Sequence, residues 1–218
     1  MNDPRESESI YKPDPEAETG YVVGSFFRAL EALAPPSAVL VVATLEARTE
    51  ELQREHARRA LNELSRHNLR YACAVLAGFE ALAGALADAA AVSLLRDAFR
   101  KSGEFVRQKT GAWLDASADP FRDLVAISKE REKSQFGPGF HFERTRDDEE
   151  AYLLVVRKCF WHDFFLAVGH PALTSVLCEF DANWIGAIVP ERHGFRFDRP
   201  TTLGYGGTHC PFHFRRLR

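Results

Sequence analysis

The chain has 218 residues, 45% of them hydrophobic and 27% charged, with a formal net charge of −3 and four cysteines. That length and apolar content suit one domain with a proper core. The charge argues against a general nucleic-acid binder, and four cysteines are too few for a disulfide scaffold.

In chain order, residues 1–20 are rich in Asp, Glu, Ser and Pro and are expected to be disordered or loosely attached, leaving 21–218 as a single domain. No apolar stretch follows Met1-Asn2-Asp3-Pro4, so no signal peptide is expected and a cytoplasmic chain with reduced thiols is the default. Val22, Phe26, Leu30 and Leu33 have helical spacing from Tyr21, and Ala34-Pro35-Pro36-Ser37 stops them. Ser37 or Thr44 is the candidate cap of the next helix, a charged one over 45–69 with Glu50–Arg54 and Glu55–Arg59 at i, i+4. The apolar run from Tyr71 to Leu95 contains Glu80 and Asp88 and is alanine-rich, so it reads as a buried helix pair and not a membrane span. Further helices are expected over 92–110 and, after Asp119-Pro120, over 120–133.

Gln135-Phe136-Gly137-Pro138-Gly139 breaks the helical pattern. Beyond it, alternation at 140–145 and 152–159 around the polar Arg146-Asp147-Asp148-Glu149 predicts a β-hairpin. Residues 160–168 and 171–189 look helical, and alternation returns at Phe195–Arg199 and Phe212–Arg215. The sum is an α+β fold: a helical N-terminal layer packed on a C-terminal antiparallel sheet of about four strands.

The chemistry-bearing side chains gather in the last sixty residues: Cys159, Cys178, Cys210, Asp181, His162 and His209, beside the turn Leu203-Gly204-Tyr205-Gly206-Gly207-Thr208. Three readings stand open: an activated thiolate, a zinc site, or buried cysteines without chemistry. No CxxC pair is present, and the local pairs are Cys159-x-x-His162, Cys178-x-x-Asp181 and His209-Cys210. The glycines do not match a phosphate-binding loop and read as a tight connection between strands with positive φ. His141, His170 and His193 read as surface or turn residues, and Cys73 as packing.

Residues 156–214 resemble the family named for L-2-amino-thiazoline-4-carboxylic acid hydrolase. The pattern runs Val155-Val156-Arg157-Lys158-Cys159, then Cys178-Glu179-Phe180-Asp181, then Phe197-Asp198-Arg199-Pro200-Thr201-Thr202-Leu203, and closes on Gly206-x-x-x-Cys210-x-Phe212. The ending is also similar to that of vinyl-reductase-type ligand-binding domains. Many family members carry an acidic residue where this chain has Gly207.

The resemblance implies hydrolysis of a C–N bond in a small cyclic amidine-like ring, which needs a nucleophile or base, a proton donor and a cation for a substrate carboxylate. On that basis the candidate catalytic residues are Cys178 or Cys210 as nucleophile, Asp181 as base or orienting group and His209 or His162 as proton donor. Arg199 or Arg157 is the candidate carboxylate anchor, with Cys159 and Trp184 also lining the substrate. No cofactor is required for a cysteine nucleophile; a divalent metal such as zinc, holding an activated water, is the alternative. The expected partner is a small-molecule substrate, with no nucleic acid and no membrane, and with room for a homo-oligomer. A non-enzymatic ligand-binding domain and a structural zinc module are the competing readings.

Overall fold

A computed structural model describes residues 13–217. The first helix, α1 (Pro15–Leu33), starts earlier than the apolar period from Tyr21 suggests. Asp14 caps it, accepting the N–H of Ala17 at 3.0 Å, and Pro15 sits where its missing N–H costs nothing. Residues 15–20 are therefore helical, with Thr19 buried; residues 1–12 lie outside the described part.

The charged helix expected over 45–69 is two helices. α2 (Val42–Glu55) has no side-chain cap from Ser37 or Thr44, and α3 (Glu63–Leu82) follows a short 3-10 turn. Asn62 causes the break: its side-chain oxygen accepts the Ser65 N–H at 2.8 Å and so starts a new helix. Glu55 pairs back to Arg48 at 2.9 Å, while Glu50–Arg54 is a loose 4.0 Å pair. The expected helix over 92–110 likewise divides into α4 (Asp88–Ser102) and α5 (Glu104–Ala116) at Gly103. Asn183 occupies the space there, since a Cβ on Gly103 would lie 2.1 Å from its Nδ2. The run 71–95 is a helix pair as expected, and among the described residues no helix is long and apolar enough to cross a membrane.

Asp119 and Pro120 open α6 (Pro120–Arg131) as predicted, with the Arg122 N–H on Asp119 at 3.1 Å. The hairpin is β1 (His141–Asp147) and β2 (Ala151–Lys158). Then come α7 (Phe160–Ala167), a 3-10 turn at Pro171–Leu173, α8 (Thr174–Ile185) and the single turn α9 (Pro190–His193). Strands β3 (Phe195–Asp198) and β4 (Cys210–Arg216) complete an antiparallel sheet of order β1-β2-β4-β3. The helix expected over 171–189 ends at Ile185. His193 is no surface residue: it is buried, its Nδ1 accepts the Val189 N–H at 3.0 Å, and its Nε2 therefore carries the proton toward Asp115 Oδ1 at 3.0 Å.

Two cores result. Helices α1–α4 and α7 bury Phe26, Phe27, Leu30, Phe99, Phe164 and Phe165 with the start of α8. Each such side chain contributes about 1.5–3 kcal/mol of transfer free energy. The inner face of the sheet (Tyr152, Leu154, Phe195, Phe214) is covered by Leu114 of α5, by Phe121, Leu124 and Val125 of α6, and by Trp184 at the end of α8. Helix α8 thus belongs to both cores: Val176 and Leu177 face the first and Trp184 the second. The functional candidates sit on this shared helix.

Candidate active site

Cys159 is the residue between β2 and α7. Its extended backbone (φ −129°, ψ 119°) makes it the N-cap, so the backbone N–H groups of Trp161 and His162 face its thiol. Cys178 lies in the second turn of α8. Its Sγ is 3.5 Å from the Thr202 hydroxyl and meets the Gly204 N–H. Cys210 begins β4 opposite Val156 of β2, and its Sγ accepts the Leu203 N–H at 3.2 Å. The three sulfurs are close enough for Cys159 to feel the charge of both Cys178 and Cys210.

Burial pushes all three thiols above their ordinary range, Cys210 to about 11, because a low-dielectric site disfavours the thiolate. Asp181 adds to this at Cys178, whereas the Thr202 hydroxyl, the Arg199 guanidinium and the N–H of Gly204 pull the other way. At rest these are neutral thiols in a site already supplied with donors for a thiolate.

Asp181, three residues after Cys178, is held at both oxygens. Trp184 Nε1 donates to Oδ1 at 2.9 Å and Arg199 Nη1 to Oδ2 at 2.7 Å. The other terminal nitrogen of Arg199 donates to the Cys178 carbonyl at 3.1 Å, and the guanidinium lies over the Phe212 ring. Cys178, Asp181 and Trp184 recur every three residues, which puts them on neighbouring turns of α8. Trp184 also stacks on Phe214 at 6.0 Å between ring centres.

The connection between β3 and β4 supplies the remaining donors. Thr202 is buried, Leu203–Tyr205 form a 3-10 turn, and Gly206 closes it in the left-handed conformation (φ +83°), with the Gly207 N–H returning to the Thr202 carbonyl at 2.9 Å. This is the tight, positive-φ connection expected from the glycines. Gly204 rests on α8 so closely that a Cβ would lie 2.8 Å from Cys178 Sγ and 2.9 Å from the Ser175 nitrogen.

The other candidates are placed differently. His162 turns its Nδ1 to Thr174 Oγ1 at 3.3 Å, and its backbone N–H faces the Cys159 thiol without a capping hydrogen bond. His209 bonds Thr208 and lies near His213, which points away from the Phe212–Phe214 face. Arg157 is exposed at the end of β2, paired with Glu143 at 2.6 Å. Among the described residues, no hydrogen bond or ion pair joins His209 or Arg157 to the thiols or to Asp181. Among the described residues no group of three or more His, Cys, Asp or Glu is arranged to hold a metal ion. Thr202 and the N–H groups of Leu203 and Gly204 are marked in the sequence by the Thr202-Leu203 pair of the family pattern and by the glycine spacing, not as candidate site residues.

No curated protein and no solved structure gives a significant match to the chain. The family described as L-2-amino-thiazoline-4-carboxylic acid hydrolase matches residues 67–214, a segment holding all three thiols, Asp181, Arg199 and the glycine turn. With more than half of its length matched, the chain belongs to the L-2-amino-thiazoline-4-carboxylic acid hydrolase family.

Proposed function

We propose that this protein hydrolyses a C–N bond of a small cyclic amidine, with Cys178 as nucleophile and Asp181 as the proton carrier. The observation that carries the reading is the pairing of a donor-lined, buried thiol with a carboxylate clamped on the adjacent turn by Trp184 and Arg199. Cys178 is preferred to Cys210 because Asp181 stands one turn away on its own helix.

A protonated amidine ring entering beside Cys178 brings the cation that the buried thiol lacks, so the thiol ionises when substrate is bound. Its proton passes to Asp181, and the thiolate adds to the ring carbon between the heteroatoms. The tetrahedral adduct collapses with loss of the C–N bond, and Asp181 returns the proton to the departing ring nitrogen. Water then adds to the enzyme-bound thioimidate, the Cys178–carbon bond breaks, and the thiol regains a proton. The sum is addition of one water. The Gly204 N–H and the Thr202 hydroxyl favour the Cys178 thiolate through this cycle, and Arg199 keeps Asp181 oriented.

The test is incubation with 2-amino-thiazoline-4-carboxylate and a panel of cyclic amidines, followed by mass spectrometry. Gain of one water by a member of the panel, lost in Asp181→Asn, supports the reading. The observation favouring a non-enzymatic binding domain is that burial holds all three thiols protonated. Ring binding without ring opening would decide for it.

A further inference from the structure

Tyr205 stands at the tip of the turn that faces the thiols. The residue is 51% exposed, yet its hydroxyl reaches inward and donates to Oε1 of Glu179. Glu179 is buried, follows Cys178 directly in α8, and is held on its other oxygen by Arg100 of α4, at 2.6 Å from Nη2 and 3.1 Å from Nε. Arg96, one turn earlier in α4, lies over the Tyr205 ring at 5.9 Å. The chain of contacts joins three segments that share no backbone hydrogen bonds: the turn, α8 and α4.

An exposed ring adds little to the core, so the hydroxyl is what ties the turn down. What it ties down is the segment whose Leu203 and Gly204 N–H groups meet Cys210 and Cys178. The turn is also held by its own backbone hydrogen bonds, by the Thr202 hydroxyl against Cys178, by the Leu203 N–H on Cys210 and by the packing of Gly204 on α8. Tyr205 adds to these a tie to α8 through a buried carboxylate.

We propose that Tyr205 is a positioning residue: through Glu179 and Arg100 it latches the Thr202–Gly207 turn over Cys178 and Cys210, and so governs access to the two thiols. The inference rests on the thiol site of the proposed hydrolase. Releasing the latch lets the turn lift, admits water and restores the hydration that burial withholds from both sulfurs. Turnover falls for the same reason, since the donors no longer sit against the thiolate.

The experiment is residue-resolved alkylation of Tyr205→Phe by iodoacetamide at neutral pH, read by mass spectrometry, beside turnover of the panel. Cys73, in the core between α2 and α3, is the internal control. The expected result is a rise of about tenfold at Cys178 and Cys210, the factor that one pH unit of thiol ionisation gives, with Cys73 unchanged. Arg100→Gln, which leaves Tyr205 in place, gives a smaller rise at the same two residues. An unchanged pattern, or a rise that includes Cys73, overturns the latch. A rise at Cys178 and Cys210 in a protein that opens no ring leaves the latch standing and removes the hydrolase reading; normal turnover with unchanged alkylation does the reverse.

Discussion

Gly204→Ala tests the packing of the turn against α8. A Cβ there would stand 2.8 Å from Cys178 Sγ, 2.9 Å from Ser175 N and 3.0 Å from Ser175 Cα. Two of these atoms are helix backbone and cannot rotate away, so the turn must lift by about half an ångström to reach ordinary contact. Overpacking of this kind costs about 1–3 kcal/mol. For a chain of this size each kcal/mol lowers the melting temperature by about 2–4 °C. Lifting also draws the Gly204 and Leu203 donors off the two sulfurs. Gly206→Ala is the comparison: nothing lies within 4 Å of its Cβ position, but its φ of +83° costs a side chain about 1 kcal/mol. Urea titration and iodoacetamide labelling of both variants separate the two effects. Gly204→Ala should lose stability and change the labelling of Cys178, whereas Gly206→Ala should lose stability with labelling little altered. Gly204→Ala within about 0.5 kcal/mol of the parent, with unchanged labelling, would refute the close approach.

Three further outcomes are expected. Asp181→Asn should lower kcat/KM by about 10²–10⁴-fold, the range for loss of a positioned proton carrier, in steady-state assays at constant fold as judged by circular dichroism. Asp119→Ala should cost about 1–2 kcal/mol in denaturant unfolding, because Asp119 both caps α6 and pairs with Arg216 of β4 at 2.7 Å. Alkali should destabilise the protein. The Cys73 and Cys210 thiols, ordinarily at 9.0, are pushed up to about 12 and about 11 by burial, so above pH 9 the unfolded chain sheds protons that the folded chain keeps. Their contribution is intact below pH 9 and is lost as pH rises through the folded values, at about 1.4 kcal/mol per pH unit per thiol. Unfolding titrations from pH 8 to 11 check this, and Cys73→Ala should flatten the decline.

What the sequence made legible follows from how local each signal is. Asp119-Pro120 starts α6 because cap and first turn lie within four residues, and the alternation at 140–145, 152–159, 195–199 and 212–215 yields strands that pair as a sheet. The breaks at Asn62 and Gly103 were missed for different reasons. Asn62 acts by one local hydrogen bond inside a strongly charged helical pattern, and Gly103 is required by a side chain eighty residues away. At the site, the cysteines, Asp181, Trp184 and Arg199 were legible as residue types, but only the fold brings β2, α8 and the β3–β4 turn together. His209, next to Cys210 in sequence, lies just before β4 and bonds Thr208. The donors to the thiols are mostly backbone N–H groups, which leave no mark in a sequence.

The measurement that tests the account most directly is intact-protein mass spectrometry of the protein quenched during turnover of a ring-opening substrate. The account predicts a covalent adduct on Cys178 heavier than the free protein by the mass of the substrate, absent in Cys178→Ala, which also opens no ring. Turnover that persists in a folded Cys178→Ala protein would contradict it.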